Sequence, residues 1–360
     1  MADLTAVSDP SACTRRVILQ SGAAAALTIG LPARPALCET RPAAFLRGVA
    51  LAGAEFGQLI PGQLGRDYIY PSPADFKFCF SQGFNVARLP FKWDRLQPDT
   101  GKPFDDGEWN ELSAAIQNAK LAGLSLILDP HNYARRRVRD DDYTADHLIG
   151  SAQVTVAAFT AFWQELARRT KNETHLIFGL MNEPVDIAAD TWLGIVNQTL
   201  TAIRETSARQ LILVPGVAYT GAHSWYAAGN TALTGVRDPA DNFAVEVHQY
   251  LDEDSSGRSA KAVSATIGSE RLQAFQTWAR DNKLKAFLGE FGAGSDAASL
   301  KALENTVLEV ESNTDVWIGW TAWGAGPWWP DDEPLRLSKS STGQIPPQTK
   351  LLSAFARSGR

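Results

Sequence analysis

Phe178-Gly179-Leu180-Met181-Asn182-Glu183-Pro184 is an apolar run that breaks off in an amide, a carboxylate and a proline. Phe287-Leu288-Gly289-Glu290-Phe291-Gly292 repeats the pattern further along the chain. Short, continuously apolar runs are what a parallel sheet buried on both faces requires. Six more flank these two, at 46–56, 84–90, 124–130, 210–215, 243–247 and 316–322. Between most of them the spacing predicts helices, at 73–82, 108–122, 152–170, 189–207, 267–281 and 297–311, with a last one at 348–356. Ser72 is placed to cap the first and Pro73 to open it. Gly123 is placed to stop the second. Alternation of this kind predicts the α/β class, and eight units predict one closed (β/α)8 TIM barrel rather than a doubly wound sheet. No G-x-G-x-x-G follows the first strand, which disfavours a dinucleotide-binding sheet.

The composition agrees with a single large barrel. The 360 residues are 44% hydrophobic and 21% charged, with a formal net charge of -6. A mildly acidic balance argues against nucleic acid as a partner and fits an uncharged substrate. Tryptophan is abundant, at 11 residues against 7 tyrosines, and flat indole faces suit flat rings as well as cores. No linker or second domain is apparent, and a monomer is expected.

Residues 1–40 read as an export signal and short leader, with the barrel domain at 41–360. Thr14-Arg15-Arg16-Val17-Ile18-Leu19-Gln20 resembles a twin-arginine motif, and an uncharged, alanine-rich stretch at 22–31 follows it. That stretch is too short to span a bilayer comfortably. The expected location is therefore periplasmic or extracellular, without stable membrane insertion once the signal is removed. Of the three cysteines, Cys79 alone lies well inside the mature domain, where a buried, inert thiol is expected.

The chemistry-bearing residues recur where strands end. Arg88 closes the second, His131 and Asn132 the third, and Asn182 and Glu183 the fourth. His248 and Tyr250 close the sixth, Glu290 the seventh and Trp323 the eighth. Barrel active sites lie at the carboxyl ends of the strands, so these groups converge on one cavity. His248 and Tyr250 are two apart and share one side of an extended segment. Paired carboxylates at such a rim are the apparatus of glycoside hydrolysis. No H-E-x-x-H or similar spacing is present, so no metal and no cofactor are expected.

Together these residues resemble glycoside hydrolase family five, of the clan A barrel glycosidases, from about Arg47 to about Trp329. Gly53-Ala54-Glu55-Phe56-Gly57, Asp129-Pro130-His131-Asn132-Tyr133-Ala134-Arg135 and His248-Gln249-Tyr250-Leu251-Asp252 look like its endoglucanase (cellulase) branch. The resemblance implies a secreted endo-β-1,4-glucanase acting on cellulose or related β-glucans. A β-mannanase or other β-glucanase would use the same set, and a non-catalytic sugar-binding barrel would need one glutamate replaced. It implies a retaining double displacement, with Glu290 as nucleophile and Glu183 as general acid and base. Arg88 and Tyr250 would keep Glu290 ionised, while Glu183 would sit in a less compensated place. Asn182 would meet the sugar 2-hydroxyl, His131 and His248 would hold hydroxyls or orient Glu183, and Trp323 would floor the reacting subsite. Trp225 matches a family run and is expected as a further platform; Trp93, Trp328 and Trp329 could extend the cleft, and Trp328 and Trp329 could equally pack under a loop. Glu55 reads as structural. The lack of a carbohydrate-binding module points to soluble or amorphous glucan.

Overall fold

Eight parallel strands hydrogen-bond into a closed barrel in a computed structural model that describes residues 45–139 and 144–358. They are β1 (Leu46–Leu51), β2 (Val86–Phe91), β3 (Ser125–Pro130), β4 (Leu176–Gly179), β5 (Ile212–Pro215), β6 (Phe243–His248), β7 (Ala286–Glu290) and β8 (Trp317–Ala325). β1 pairs with both β2 and β8, which closes the ring. The expected eight strands and (β/α)8 architecture are thus present. The expected signal at 1–40 lies outside the described residues, and no helix among the described residues is long and apolar enough to cross a membrane.

Helices α1 (Pro73–Ser81), α2 (Trp93–Leu96), α3 (Asp106–Ala122), α4 (Val156–Thr170), α5 (Ala189–Glu205), α6 (Ile267–Asp281), α7 (Ala297–Ser312) and α8 (Pro347–Ser358) complete the units. Gly123 ends α3 with φ of 79°, a left-handed turn that glycine adopts without a Cβ penalty. α4 starts later than its apolar pattern predicts because Thr155 caps it, accepting a hydrogen bond from the Ala158 N–H. Phe159, Phe162, Trp163, Leu166 and Thr170 then form its buried stripe. Between β5 and β6 the chain uses only a 3-10 turn, Asn230–Gly235. A small hairpin pairs Arg135–Arg137 with Asp146–Leu148, two strands too short to leave a readable alternation.

The barrel interior is layered by the two-residue period of its strands. Leu46, Val86, Ile127, Ile177, Leu213, Ala244 and Phe287 form an inner apolar plug. One step along the same inward rows stand Arg88 after Val86, Asp129 after Ile127 and Glu246 after Ala244, all buried. The apolar plug therefore supports a charged layer, and the rim lies above it.

β7 breaks the alternation at the site. Val247 pairs with Leu288, yet His248 pairs with Glu290, so one extra residue stands on β7. That bulge turns Glu290 inward beside Gly289, where strict alternation would send it out.

Candidate active site

Glu290 is held by two side chains. Its Oε1 accepts from Arg88 Nη1 at 2.5 Å, and its Oε2 accepts from the Tyr250 hydroxyl at 3.0 Å. Arg88 is fully buried, and its Nη2 donates to Asn182 Oδ1 at 2.7 Å and lies 3.1 Å from Asp129 Oδ2. Desolvation works against the guanidinium, but Asp129, Glu290 and Glu246 outweigh it and hold Arg88 firmly charged. Burial, reinforced by Glu290, keeps Tyr250 a phenol that can donate.

Glu183 takes one ionisable partner. Its Oε1 lies 2.7 Å from His248 Nδ1. Burial opposes the imidazolium, yet Glu290, Glu183 and Glu246 overcome that and raise His248 to about 10. Glu290 thus has a guanidinium and a phenol, while the His248 imidazole hydrogen-bonds Glu183 and lies 3.7 Å from Glu290. Glu183 itself has φ of 42°, unusual for a residue other than glycine and more so before Pro184. Its neighbours hold that strained turn. The Asn182 N–H donates to Pro130 O at 2.9 Å, and the Tyr133 N–H donates to Asn182 O at 3.0 Å.

One oxygen of Glu183, one of Glu290 and a ring nitrogen of His248 all lie within 4.8 Å of one another. Glycosidases that retain configuration set their carboxyl groups about 5–5.5 Å apart, and inverting ones about 6.5–9.5 Å. An oxygen of one carboxylate within 4.8 Å of an oxygen of the other is compatible with the shorter spacing.

The floor comes from β3 and β8. His131 Nδ1 is 2.9 Å from Asp129 Oδ2, and its Nε2 is 3.2 Å from the Tyr133 hydroxyl. Burial keeps His131 below its ordinary value against the pull of Asp129. Its ring stacks on Trp323, 5.8 Å between centroids at 24°. Trp323 is half-buried, and Trp329 braces it edge-on while donating Nε1–H to Ala325 O at 2.8 Å. The Trp323–Gly324 peptide is cis. Asn182 Nδ2 is buried and lacks a partner among the described residues, so it is free to donate to something entering the site.

Two expected tryptophans lie elsewhere. Trp225 is fully buried, edge-on to Phe275 at 4.8 Å and against Trp278 at 5.0 Å. It is enclosed against α6, so it cannot serve as a sugar platform. Trp93 is likewise fully buried, against Phe159 and Phe162. Asn132 is present but turned into the loop. Its Oδ1 accepts from the Trp93 N–H at 2.8 Å, and its Nδ2 faces Asp94 Oδ1 at 3.3 Å. Glu55 is buried, with Oε2 accepting from the Gly53 N–H at 2.7 Å, and burial raises it to about 7. Cys79 is buried, and its thiol is pushed up to about 12 by burial.

Three groups escape a reading confined to strand ends: Asp129, Glu246 and Tyr133. Asp129 and Glu246 stand two residues before His131 and His248, so the period-two row that places each histidine also places an acid beneath it.

A barrel that sets two carboxylates this close at the carboxyl ends of β4 and β7 has the architecture of a glycoside hydrolase. The family model for cellulase, glycosyl hydrolase family 5, matches residues 48–326. The chain belongs to that family. Endo-beta-1,4-glucanase B of Aspergillus niger is 36% identical over 282 residues, covering 78% of this chain and 81% of that one. The solved structure of XacCel5A in complex with cellopentaose is 42% identical, with a TM-score of 0.83 over 87% of this chain and 99% of that one. Pseudomonas stutzeri endoglucanase Cel5A in complex with cellobiose is 30% identical, with a TM-score of 0.78 over 86% and 92%.

Proposed function

We propose that this chain is a retaining endo-β-1,4-glucanase that cuts internal bonds of cellulose or a related β-glucan. The observation that carries the reading is the Glu183–Glu290 pair, with oxygens within 4.8 Å. Glu290, aimed by Arg88 and Tyr250, attacks the anomeric carbon and forms a glycosyl-enzyme. Glu183 protonates the departing oxygen, then takes a proton from the water that releases the sugar. His248 orients Glu183. The unpaired Nδ2 of Asn182 donates to the 2-hydroxyl, a contact that strengthens as the oxocarbenium ion develops. Trp323 and His131 floor the reacting ring. Relatives named as endo-β-1,4-glucanases, with cellopentaose and cellobiose named in solved complexes, support a cello-oligosaccharide substrate. Residues 41–360 form one catalytic domain. Residues 1–40 direct export by the twin-arginine route to the periplasm or beyond, on the motif around Arg15 and Arg16.

The test offers carboxymethyl cellulose, mixed-linkage glucan, xyloglucan and mannan, and reads viscosity, product lengths and the first anomer formed. A rapid fall in viscosity on carboxymethyl cellulose with β-anomer first is expected, and strong chelation should leave it unchanged. An α-anomer first would overturn the mechanism. Preference for mannan would overturn the substrate.

A further inference from the structure

Beneath the candidate site, three buried polar atoms meet without closing a hydrogen bond. Glu246 Oε1 lies 3.5 Å from Arg88 Nε and 3.6 Å from His248 Nε2. None of the three has a hydrogen-bond partner among the described residues. The Glu246 side chain is only 2% exposed. A carboxylate this far from water is costly unless cations compensate it, and here the compensation is shared between the two sides of the site. Arg88 leads on to Glu290, and His248 leads on to Glu183.

The chain also omits a side chain to make room for this acid. A Cβ added at Gly289 would stand 2.1 Å from Glu246 Oε1. Gly289 is not among the glycines with positive φ, so space, not backbone conformation, requires glycine there. It is also the extra residue of the β7 bulge that brings Glu290 level with His248.

The His248 ring therefore stands between two carboxylates, Glu183 at Nδ1 and Glu246 at Nε2. An imidazole hydrogen-bonded to one carboxylate and facing a second across 3.6 Å is favoured as the imidazolium. We propose that Glu246 is a positioning residue for the glycosidase reaction: its carboxylate, 3.6 Å below Nε2, favours a proton there through its charge, so that the ring presents Nδ1–H to Glu183. The proton affinity of the Glu183–His248 pair is thereby set by a charge that the substrate does not touch. No proton moves to or from Glu246 in the cycle. Its carboxylate acts through the field it exerts and through the ring orientation it fixes, as outer partners of functional histidines do.

Other charges face the same ring. Glu290 from β7 adds to the effect of Glu246, and Arg88 from β2 opposes it. Asp129 and His131 from β3 and Tyr250 beyond β6 complete the surroundings. The sign for Glu246 is nevertheless fixed. A nearby negative charge favours the proton-bound form of the pair, so removing that charge lowers the pH at which the pair loses its proton. The inference rests on Glu183 being the proton donor, and the test separates the two claims.

Glu246→Gln keeps the shape and removes the charge. Histidine-labelled full-length protein gives the protonation of His248 by nitrogen NMR, and kcat/KM on a cello-oligosaccharide gives the alkaline limb of activity. The expected result is a wild-type imidazolium with both N–H groups well above neutral pH. In the variant, the His248 transition and the alkaline limb both move down by about one to two pH units. Glu246→Asp should restore much of both. An unmoved His248 transition and an unmoved limb, even with lowered kcat, overturn the proposal. A moved transition with a fixed limb supports the hold of Glu246 on His248 and overturns Glu183 as the donor. If the variant does not fold, wild-type His248 decides: a neutral ring at pH 7 overturns the proposal, and a doubly protonated one supports it.

Discussion

Arg88→Lys keeps the positive charge under the site and removes only the fork. The guanidinium serves Glu290 at 2.5 Å and Asn182 at 2.7 Å, and lies 3.1 Å from Asp129 and 3.5 Å from Glu246. These contacts leave from three nitrogens in one plane. A lysine ammonium is a compact point on a flexible stem and cannot reach partners spread along such a plane. Hydrogen bonds to charged groups contribute about 1.5–3 kcal/mol each. Losing two and regaining one leaves a deficit of roughly 2–3 kcal/mol, and Asn182 is the partner most readily abandoned. For a chain of this size that corresponds to a melting point lower by about 3–4 °C. If the same deficit is felt when Glu290 attacks, kcat/KM falls by roughly 30- to 150-fold. Calorimetry at neutral pH and initial rates on a soluble cellulose derivative measure both. A variant that melts within a degree of the parent and turns over within a factor of two would show that charge alone suffices, and the reasoning from fork geometry would be wrong.

Glu183→Ala should slow hydrolysis of natural glucan by about 10²–10⁴-fold, while aryl glycosides with good leaving groups still form the intermediate quickly. Equal loss on both in the first step would remove Glu183 from the acid role. Trp225→Ala should lower stability by roughly 3–5 kcal/mol through the cavity it leaves beside Phe275 and Trp278, with KM unchanged in the folded fraction. A raised KM with an unchanged melting point would restore it to the cleft. Burial raises Glu55 from 4.5 to about 7. Between those two values the native chain binds more protons than the unfolded one, so stability falls as pH rises, by on the order of 3 kcal/mol. Glu55→Gln should flatten that slope in urea titrations at pH 5 and pH 8, and a slope identical to the parent's would refute it.

Much of the fold was legible because strand and helix periods are local. Each barrel strand reads as an apolar run, and α6 follows its pattern from Ile267 to Asp281. The residues at the strand ends were legible for the same reason, since an abrupt change from apolar to polar marks the rim. Glu246 and Asp129 were legible in principle, as the inward neighbours of two histidines. A reading that stops at the strand ends passes over them, because an acid inside a strand looks like part of its run.

Trp225 shows the limit. Nothing near it in the chain tells whether its indole meets solvent or protein, because the residues that cover it, Phe275 and Trp278, belong to α6. The bulge that turns Glu290 inward is another case, since it exists only as a register between β6 and β7. The order of apolar and polar residues along the chain determined eight strands, their helices and the identities of the groups at the rim. Tertiary structure alone decided which tryptophans face the cleft, how near the two glutamates lie and which charges sit beneath them. Periodicity is a property of neighbours in sequence, whereas burial and charge pairing depend on distances between segments that meet only when the barrel closes.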